Sequence, residues 1–420
     1  MKIGIFTYGT RGDVQPYIGL ALAIKTRGYE VLLCAPENFE KYILGFGLNF
    51  HALYGNAEEM MNLPEGQKVL KTENSIQLMK YFFKVLNEIK IPLRKSYLEG
   101  INQVDCIIAN SATMSIVSAI AEKQNKKMAL TYFMPPLVET REFPVADFDF
   151  LNFPWYNKMT YRLTHFFYWK FVKSETNEFR KELGLCELKK NLITTIDSKK
   201  TLDLYCFSPT LIQQPKDWQK HHKITGFINI PNEFRQKNHI AIQSSDLKTW
   251  MINGDKPIYI GFGSNGVGNT EKIIEAIQML LIHTNERILF CTGWSIYPEI
   301  PKHDNLYIVK EINHEEIFPF CKVGIFHGGA GTLGTLLRHK IPVIIISFYT
   351  DQPTWGKIIV KKGLGIHIPI KKLKKNSIIE ALNIIKNPIY QENVAKISTE
   401  IQNEKGLEKA IKYLEEYFYL

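Results

Sequence analysis

A chain of 420 residues with 45% hydrophobic and 22% charged positions is composed like an ordinary globular protein, which excludes extended disorder and fibrous repeats. Its net charge of +10 calls for an acidic partner to be weighed: nucleic acid, anionic lipid or a phosphorylated ligand. The six cysteines stand singly, no apolar run reaches 18 residues, and the apolar stretch at the N-terminus is too short for a signal segment. These features predict a reduced, cytoplasmic, non-spanning protein whose thiols are mostly buried.

Along the chain, short apolar runs alternate with segments of helical period. Residues 2–7 (KIGIFT) predict a strand, followed by a polar loop and a helix over 15–27, where Ile18, Ala21, Leu22 and Ile24 recur at three and four residues. Further strands are predicted at 30–35 (EVLLCA), 106–110 (CIIAN) and 127–132 (KMALTY). From 141 to about 202 the rhythm gives way to an aromatic and basic helical segment, FPWYNKMTYRLTHFFYWKFVK at its centre. Strands at 202–207 and 224–226 follow, and then a polar stretch at 229–245 with Pro231, which reads as a linker. The rhythm restarts with strands at 257–262, 287–291, 306–309, 323–327 and 342–347.

Near-continuous apolar strands spaced by helices predict parallel sheets covered on both faces. The expected class is therefore α/β, with two Rossmann-like doubly wound domains at 1–228 and 246–400 facing each other across a cleft. A terminal helix at 401–420 could pack back on the first domain. Ligands in such sheets bind outside the carboxyl ends of the strands, so chemistry is expected in the loops after residues 7, 262, 291, 326 and 348.

Four of those loops are informative. In YGTRGDVQP (8–16), Gly9 and Gly12 permit a tight turn, Asp13 and Val14 open the helix and Pro16 suits its first turn. Asp13 as a plain N-cap is the modest reading. GFGSNG (261–266) spells G-x-G-x-x-G after a strand, yet the next strand ends in Cys291, Thr292, Gly293 and Trp294 rather than the acidic residue of a dinucleotide fold. What survives is a glycine turn approaching a phosphate, with the Ser264 hydroxyl as donor. FHGGAGTLGT (326–335) exposes successive backbone N–H groups at a helix N-terminus, an arrangement that holds phosphate. With no G-K-[ST] ending, the helix dipole, His327 and Thr332 must neutralise the charge. SFYTDQPTWG (347–356) brings Asp351 and Gln352 to a helix start, either as a cap or as partners for a polyol.

Together these ordered blocks, with FSPTLIQQPKDWQKHHKITGF before the linker, make nearly the whole chain similar to the inverting family 1 glycosyltransferases of GT-B fold. The resemblance is to the branch of sterol 3-β-glucosyltransferases and bacterial natural-product glycosyltransferases. It implies an acceptor in the first domain, a nucleotide sugar in the second, and a UDP-hexose, most often glucose, as donor with no metal cofactor. By position it makes Asp13 the general base and sets Thr10, Arg11 and Gly12 facing the donor. Ser264, His327, Gly329, Ala330, Gly331 and Thr332 match the diphosphate site, and Asp351 with Gln352 matches the pair that holds sugar hydroxyls. Trp294 resembles the tryptophan of the family's G-W block, and Ile312 falls where the nucleobase is bound. The chain departs from the pattern in three ways. No His occurs in the first loop, so the base is the carboxylate alone; Phe326 replaces a His; and Thr350 replaces a Gly before Asp351.

Other readings are a non-catalytic nucleotide-sugar sensor, an epimerase, and a GT-B enzyme acting on a lipid or cell-envelope precursor. The aromatic segment carries Phe153, Trp155, Tyr156, Tyr161, Phe166, Phe167, Tyr168, Trp169 and Phe171, more than one helical face can bury. It reads as an acceptor lid, a surface for peripheral membrane contact, or a packed helix pair. The charge excess is +6 up to residue 228 and +4 beyond, which leaves no basic half for nucleic acid. Its densest patch is Lys158, Arg162, Lys170 and Lys173, set among those aromatics.

Overall fold

The computed structural model describes residues 1–237, 245–264 and 268–420. Two parallel sheets are present. The first contains β1 (Lys2–Phe6), β2 (Glu30–Pro36), β3 (Asn49–Leu53), β4 (Cys106–Asn110), β5 (Met128–Tyr132), β6 (Leu202–Tyr205) and β7 (His222–Ile224), in the order β3-β2-β1-β4-β5-β6-β7. The second contains β8 (Ile258–Gly261), β9 (Ile288–Cys291), β10 (Leu306–Val309), β11 (Val323–Phe326), β12 (Val343–Ser347) and β13 (Gly365–Pro369), ordered β10-β9-β8-β11-β12-β13.

The β-branched and apolar runs sit where two-sided burial demands them: Ile5 pairs with Leu33 and Ile108, and Ile260 pairs with Phe290 and Ile325, all without solvent exposure. Two strands escape the sequence reading, β3 and β13. Both lie at sheet edges, where half-exposed positions interrupt the apolar run. The expected strand at 224–226 ends earlier, at Ile224, because Gly226 takes a left-handed conformation (φ 107°) and leaves the sheet.

In each sheet the strand order reverses once, between β1 and β4 and between β8 and β11. The crevices opened there bring the loops after β1 and β4 to one side of a cleft and those after β8 and β11 to the other. The halves are locked below it by Phe207 against Trp355, with ring centroids 5.6 Å apart, and by Phe227 against the helix Ala330–Arg338. That second contact needs Gly334, since a Cβ there would lie 2.8 Å from the Phe227 ring.

The expected linker at 229–245 is partly resolved into structure. Asn229 and Ile230 line the cleft, Asn232–Lys237 is helical, 238–244 lie outside the described residues, and the helix Ser245–Ile252 follows. At the other end of the chain, the helix Gly406–Phe418 packs Ala410, Ile411, Leu414 and Phe418 into the core beside the helix Arg11–Thr26. Ser208 and Thr210, from the FSPT block, both donate hydrogen bonds to Glu404 and pin this return crossing.

The aromatic segment forms one helix, Pro154–Glu182. Its C-terminal half is clamped by ion pairs: Arg94 reaches Glu175 (3.0 Å), Glu178 (3.3 Å) and Glu182 (2.7 Å), and Arg180 reaches Glu122 (2.8 Å). Tyr156 and Tyr161 are buried, while Trp155, Phe166 and Phe167 face outward.

Candidate functional site

A cavity of about 610 Å³ occupies the cleft, and all fourteen residues singled out from the sequence line it: Thr10, Arg11, Gly12, Asp13, Ser264, Trp294, Ile312, His327, Gly329, Ala330, Gly331, Thr332, Asp351 and Gln352. How they are held differs in places from the sequence reading.

Asp13 is not the N-cap. The helix begins at Arg11 with Thr10 as its cap, which puts Asp13 in the first turn and Pro16 inside the second. Its Oδ2 accepts the Thr10 backbone N–H at 2.8 Å and the Thr10 hydroxyl at 3.3 Å. Gly9 (φ 143°) makes room for this contact, because a Cβ there would fall 2.2 Å from Oδ2. Gly12 has no such duty; it sits exposed within the helix. Asn110, at the end of β4, donates to Thr7 Oγ1 (3.1 Å) and to the Tyr8 carbonyl (3.3 Å), so the loop is fixed from behind.

Burial raises the Asp13 pKa to about 6, helped by the nearby Asp351 carboxylate and opposed by the Thr10 hydrogen bonds. A carboxylate raised in this way holds a proton more tightly than an ordinary one.

Across the cavity, the three glycines of FHGGAG have separate reasons. Gly328 needs its positive φ of 101°. Gly329 must lack a side chain because His327 Nε2 would lie 2.5 Å from a Cβ. Gly331 alone has no neighbour within 4 Å of a Cβ, so protein packing does not account for it. It lies at the start of the helix Ala330–Arg338, where free N–H groups and the macrodipole favour an anion. His327 is 8% exposed, burial lowers its pKa to about 4, and its Nδ1 has no hydrogen-bond partner. A buried, neutral, unsatisfied imidazole beside such a helix start is suited to an acceptor oxygen on a ligand.

Phe326, which stands in place of a His, is wholly buried at the end of β11. Ser264 and Gly263 follow β8, and the Trp294 backbone N–H donates to the Gly263 carbonyl at 3.2 Å, tying two loops together. Asn265 and Gly266 of the glycine motif lie outside the described residues.

Asp351 precedes the helix Gln352–Lys361 but its side chain makes no cap bond to the helix backbone, and burial raises its pKa. Trp355 Nε1 donates to its Oδ2 at 2.9 Å, and the Thr350 hydroxyl donates to its Oδ1 at 3.0 Å. Thr350 holds φ 57°, a left-handed conformation unfavourable for a β-branched residue, where a Gly would sit without strain. Gln352 is 2% exposed, and its Oε1 accepts the Phe348 N–H at 2.8 Å. The Gln352 side-chain oxygen is thus spent on the turn.

Several lining residues were not anticipated. Lys310, just past β10, adds a cation, and Arg235 another. Arg11 pairs with Glu311 at 2.9 Å across the cleft and stacks on Tyr42. His314 donates to or accepts from Tyr259 at 2.9 Å; burial, reinforced by Arg11 and Arg235, lowers its pKa to about 3. Most important is an apolar wall of Ala57, Met60, Met61, Phe82, Leu86, Phe133 and Met134. Of the three readings of 141–200, the acceptor lid is not met: among the described residues none of that segment lines the cavity. The signal for the true wall was the amphipathic helix Ser75–Glu88, with Leu78, Phe82, Val85 and Leu86 at three- and four-residue spacing.

One other group of titratable side chains gathers away from the cavity: Asp197, His221 and His222. His222 donates toward both Asp197 and Asp203, each at 3.0 Å. These bonds outweigh the lowering effect of burial and raise its pKa to about 9, so the cluster is an ionic clamp between β6, β7 and the helix Leu192–Ser198.

The fold and its paired crevices have counterparts among known proteins. A model of the glycosyltransferase family 28 N-terminal domain matches residues 3–143, and one of the erythromycin biosynthesis protein CIII-like C-terminal domain matches residues 297–416; together they span more than half the chain. The chain belongs to the GT-B glycosyltransferases. This glycosyltransferase is 28% identical over 431 residues to sterol 3-beta-glucosyltransferase UGT80A2 of Arabidopsis thaliana, which covers 98% of this chain and 65% of the plant protein. It therefore spans about two thirds of that relative's length. The uncharacterized glycosyltransferase Rv1524 of Mycobacterium tuberculosis is 25% identical over 403 residues, covering 95% of this chain and 94% of its own. Among solved structures, the Streptomyces sp. SF2575 glycosyltransferase SsfS6, complexed with thymidine diphosphate, shares the fold at a TM-score of 0.61 and 16% identity. That match covers 98% of this chain and 99% of SsfS6.

Proposed function

We propose that this glycosyltransferase moves a hexose, glucose first among candidates, from a UDP-sugar to a hydroxyl of a hydrophobic acceptor such as a sterol or a polycyclic or phenolic natural product, with inversion. The observation that supports the reading is the position of Asp13. Its carboxylate, raised in pKa and held by Thr10, lies where a polar wall of His327, Gly331 and Asp351 meets the apolar wall of Met60, Phe82 and Phe133.

In this scheme Asp13 takes the acceptor's hydroxyl proton while the oxygen attacks the anomeric carbon. The bond from that carbon to the diphosphate breaks, and its electron pair leaves on UDP. A positioned base of this kind contributes about 10²- to 10⁴-fold. The leaving diphosphate is stabilised by the helix start at Ala330, by Thr332 and Ser264, and by Lys310 or a His327 that gains a proton as negative charge arrives. Asp351 accepts from sugar hydroxyls, and the backbone near Ile312 with Trp294 flanks the nucleobase. No step requires a metal ion. The acceptor is lipophilic because seven apolar side chains, three of them flexible methionines, line its side of the cavity.

The test is incubation with UDP-glucose and a panel of sterols and phenols in excess EDTA, with products followed by mass spectrometry and anomeric configuration by NMR. A β-linked glucoside formed in EDTA is the expected product. UDP release without a glycoside from any acceptor, or retention of the α configuration, overturns the reading.

A further inference from the structure

The exposed face of the helix Pro154–Glu182 is unlike the rest of the surface. Trp155 is 69% exposed, Phe166 52% and Phe167 51%, with Met159 and Leu163 between them and Phe150 and Phe153 just ahead. Positions 155, 159, 163, 166 and 170 fall on one stripe of an α-helix, and 155 to 171 spans about 24 Å. Solvent-facing rings of this size are costly unless something covers them.

Four cations border the stripe: Lys158, Arg162, Lys170 and Lys173, with no acidic residue on the helix before Glu175. Arg162 has a loose partner in Glu139 at 3.5 Å, and Lys170 lies 4.8 Å above the Phe166 ring. Lys158, Lys170 and Lys173 make no ion pair among the described residues. Aromatic and aliphatic side chains flanked by unpaired lysines match the boundary of an anionic bilayer, where rings sit at headgroup depth and lysines meet lipid phosphates. An acidic protein surface would match the lysines and leave the rings uncovered. Among the described residues no helix is long and apolar enough to cross a membrane, so contact would be peripheral.

The stripe also adjoins the acceptor side of the cavity. Phe171 stacks on Phe83, with centroids 6.2 Å apart and ring planes within 10°, and Phe82 and Leu86 of the same helix as Phe83 line the cavity. At the stripe's other end, Asp149 and the Ala146 carbonyl hold Lys357, on the helix that follows Asp351, at 2.8 and 2.7 Å. We infer that this helix seats the protein on anionic phospholipid membranes, with the acceptor entrance beside the bilayer from which a lipophilic alcohol is drawn. The lipid contact stands on the helix alone. The delivery of acceptor rests on the transferase reading above.

The experiment is vesicle flotation of the full chain on phosphatidylcholine alone and on phosphatidylcholine with about 30 mol% phosphatidylglycerol, which gives the surface a negative potential. Wild type should float with the anionic vesicles, at least tenfold less with neutral ones, and less as salt rises. A Trp155→Ala/Phe166→Ala/Phe167→Ala variant and a Lys158→Glu/Lys170→Glu/Lys173→Glu variant should each lose at least tenfold in partitioning. Both should keep wild-type transfer to a water-soluble phenol, since none of these residues lines the cavity. Absence of wild-type flotation, or equal flotation of the variants, overturns the inference. So does a wild-type dimer that the aromatic variant converts to monomer without any vesicle binding, because a second copy would then cover the stripe. Flotation with no transfer to any acceptor defeats the transferase reading and leaves the membrane surface standing.

Discussion

The two walls of the cavity are built by different means. The polar wall, which we propose takes the donor, is made of backbone: glycine turns and helix starts at the reversal between β8 and β11, with a few polar side chains fixed by local bonds. The apolar wall, proposed for the acceptor, is made of side chains, methionines and phenylalanines from helices and loops that no short motif encodes. Backbone-built sites tolerate little change and leave a spelled signature. A wall of side chains can be altered residue by residue, so substrate choice is expected to vary there.

Substitutions that act on one wall and spare the other can break this comparison. The largest effect belongs to the residue between them. Asp13→Asn should lower kcat about 10²- to 10⁴-fold while leaving UDP-sugar binding by calorimetry within about threefold. A loss of donor binding instead would make Asp13 part of the donor wall. On the donor side, Gly331→Val fills space that no protein atom occupies, so donor KM should rise on the order of 10- to 100-fold with thermal stability unchanged. Stability loss without a KM change would mean that the open space serves packing.

The titration of Asp13 gives a third test of its proposed role as base. Asp13 must be ionised to accept a proton, so kcat/KM should be flat above about pH 6 and fall about tenfold per unit below it. Asp13→Asn should lack that limb. The smallest effect is expected on the acceptor side, where Phe82→Ala should raise KM for a hydrophobic acceptor about 10-fold and leave donor hydrolysis unchanged. A matching rise in donor KM would show that the two walls are not separable.

The same contrast explains what could be read without coordinates. Central strands such as 106–109 and 323–326 announce themselves because burial on both faces leaves only residues without polar side chains. The edge strands β3 and β13 were hidden by their mixed exposure. Asp13, His327 and Asp351 were legible because each sits in a turn whose glycines or polar residues are dictated by local geometry. The apolar wall was not, since Met60 and Phe133 reach the same cavity only through tertiary structure, and their neighbours in sequence differ in no obvious way from core. The aromatic helix misled for a related reason: its composition shows that many rings exist but not which of them, such as Tyr161, turn inward.

The return of the chain at Glu404 bears on how this molecule could be taken apart. The first sheet's outer layer is completed by a segment that follows the second sheet in the chain, fastened through Ser208, Thr210 and the close approach of Gly226 to Gly406. A chimera that exchanges the second half for that of a relative would inherit a foreign closing helix against Val14, Ile18 and Leu22. Exchanges of donor specificity should therefore be cut twice, keeping residues 404–420 with the half they cover.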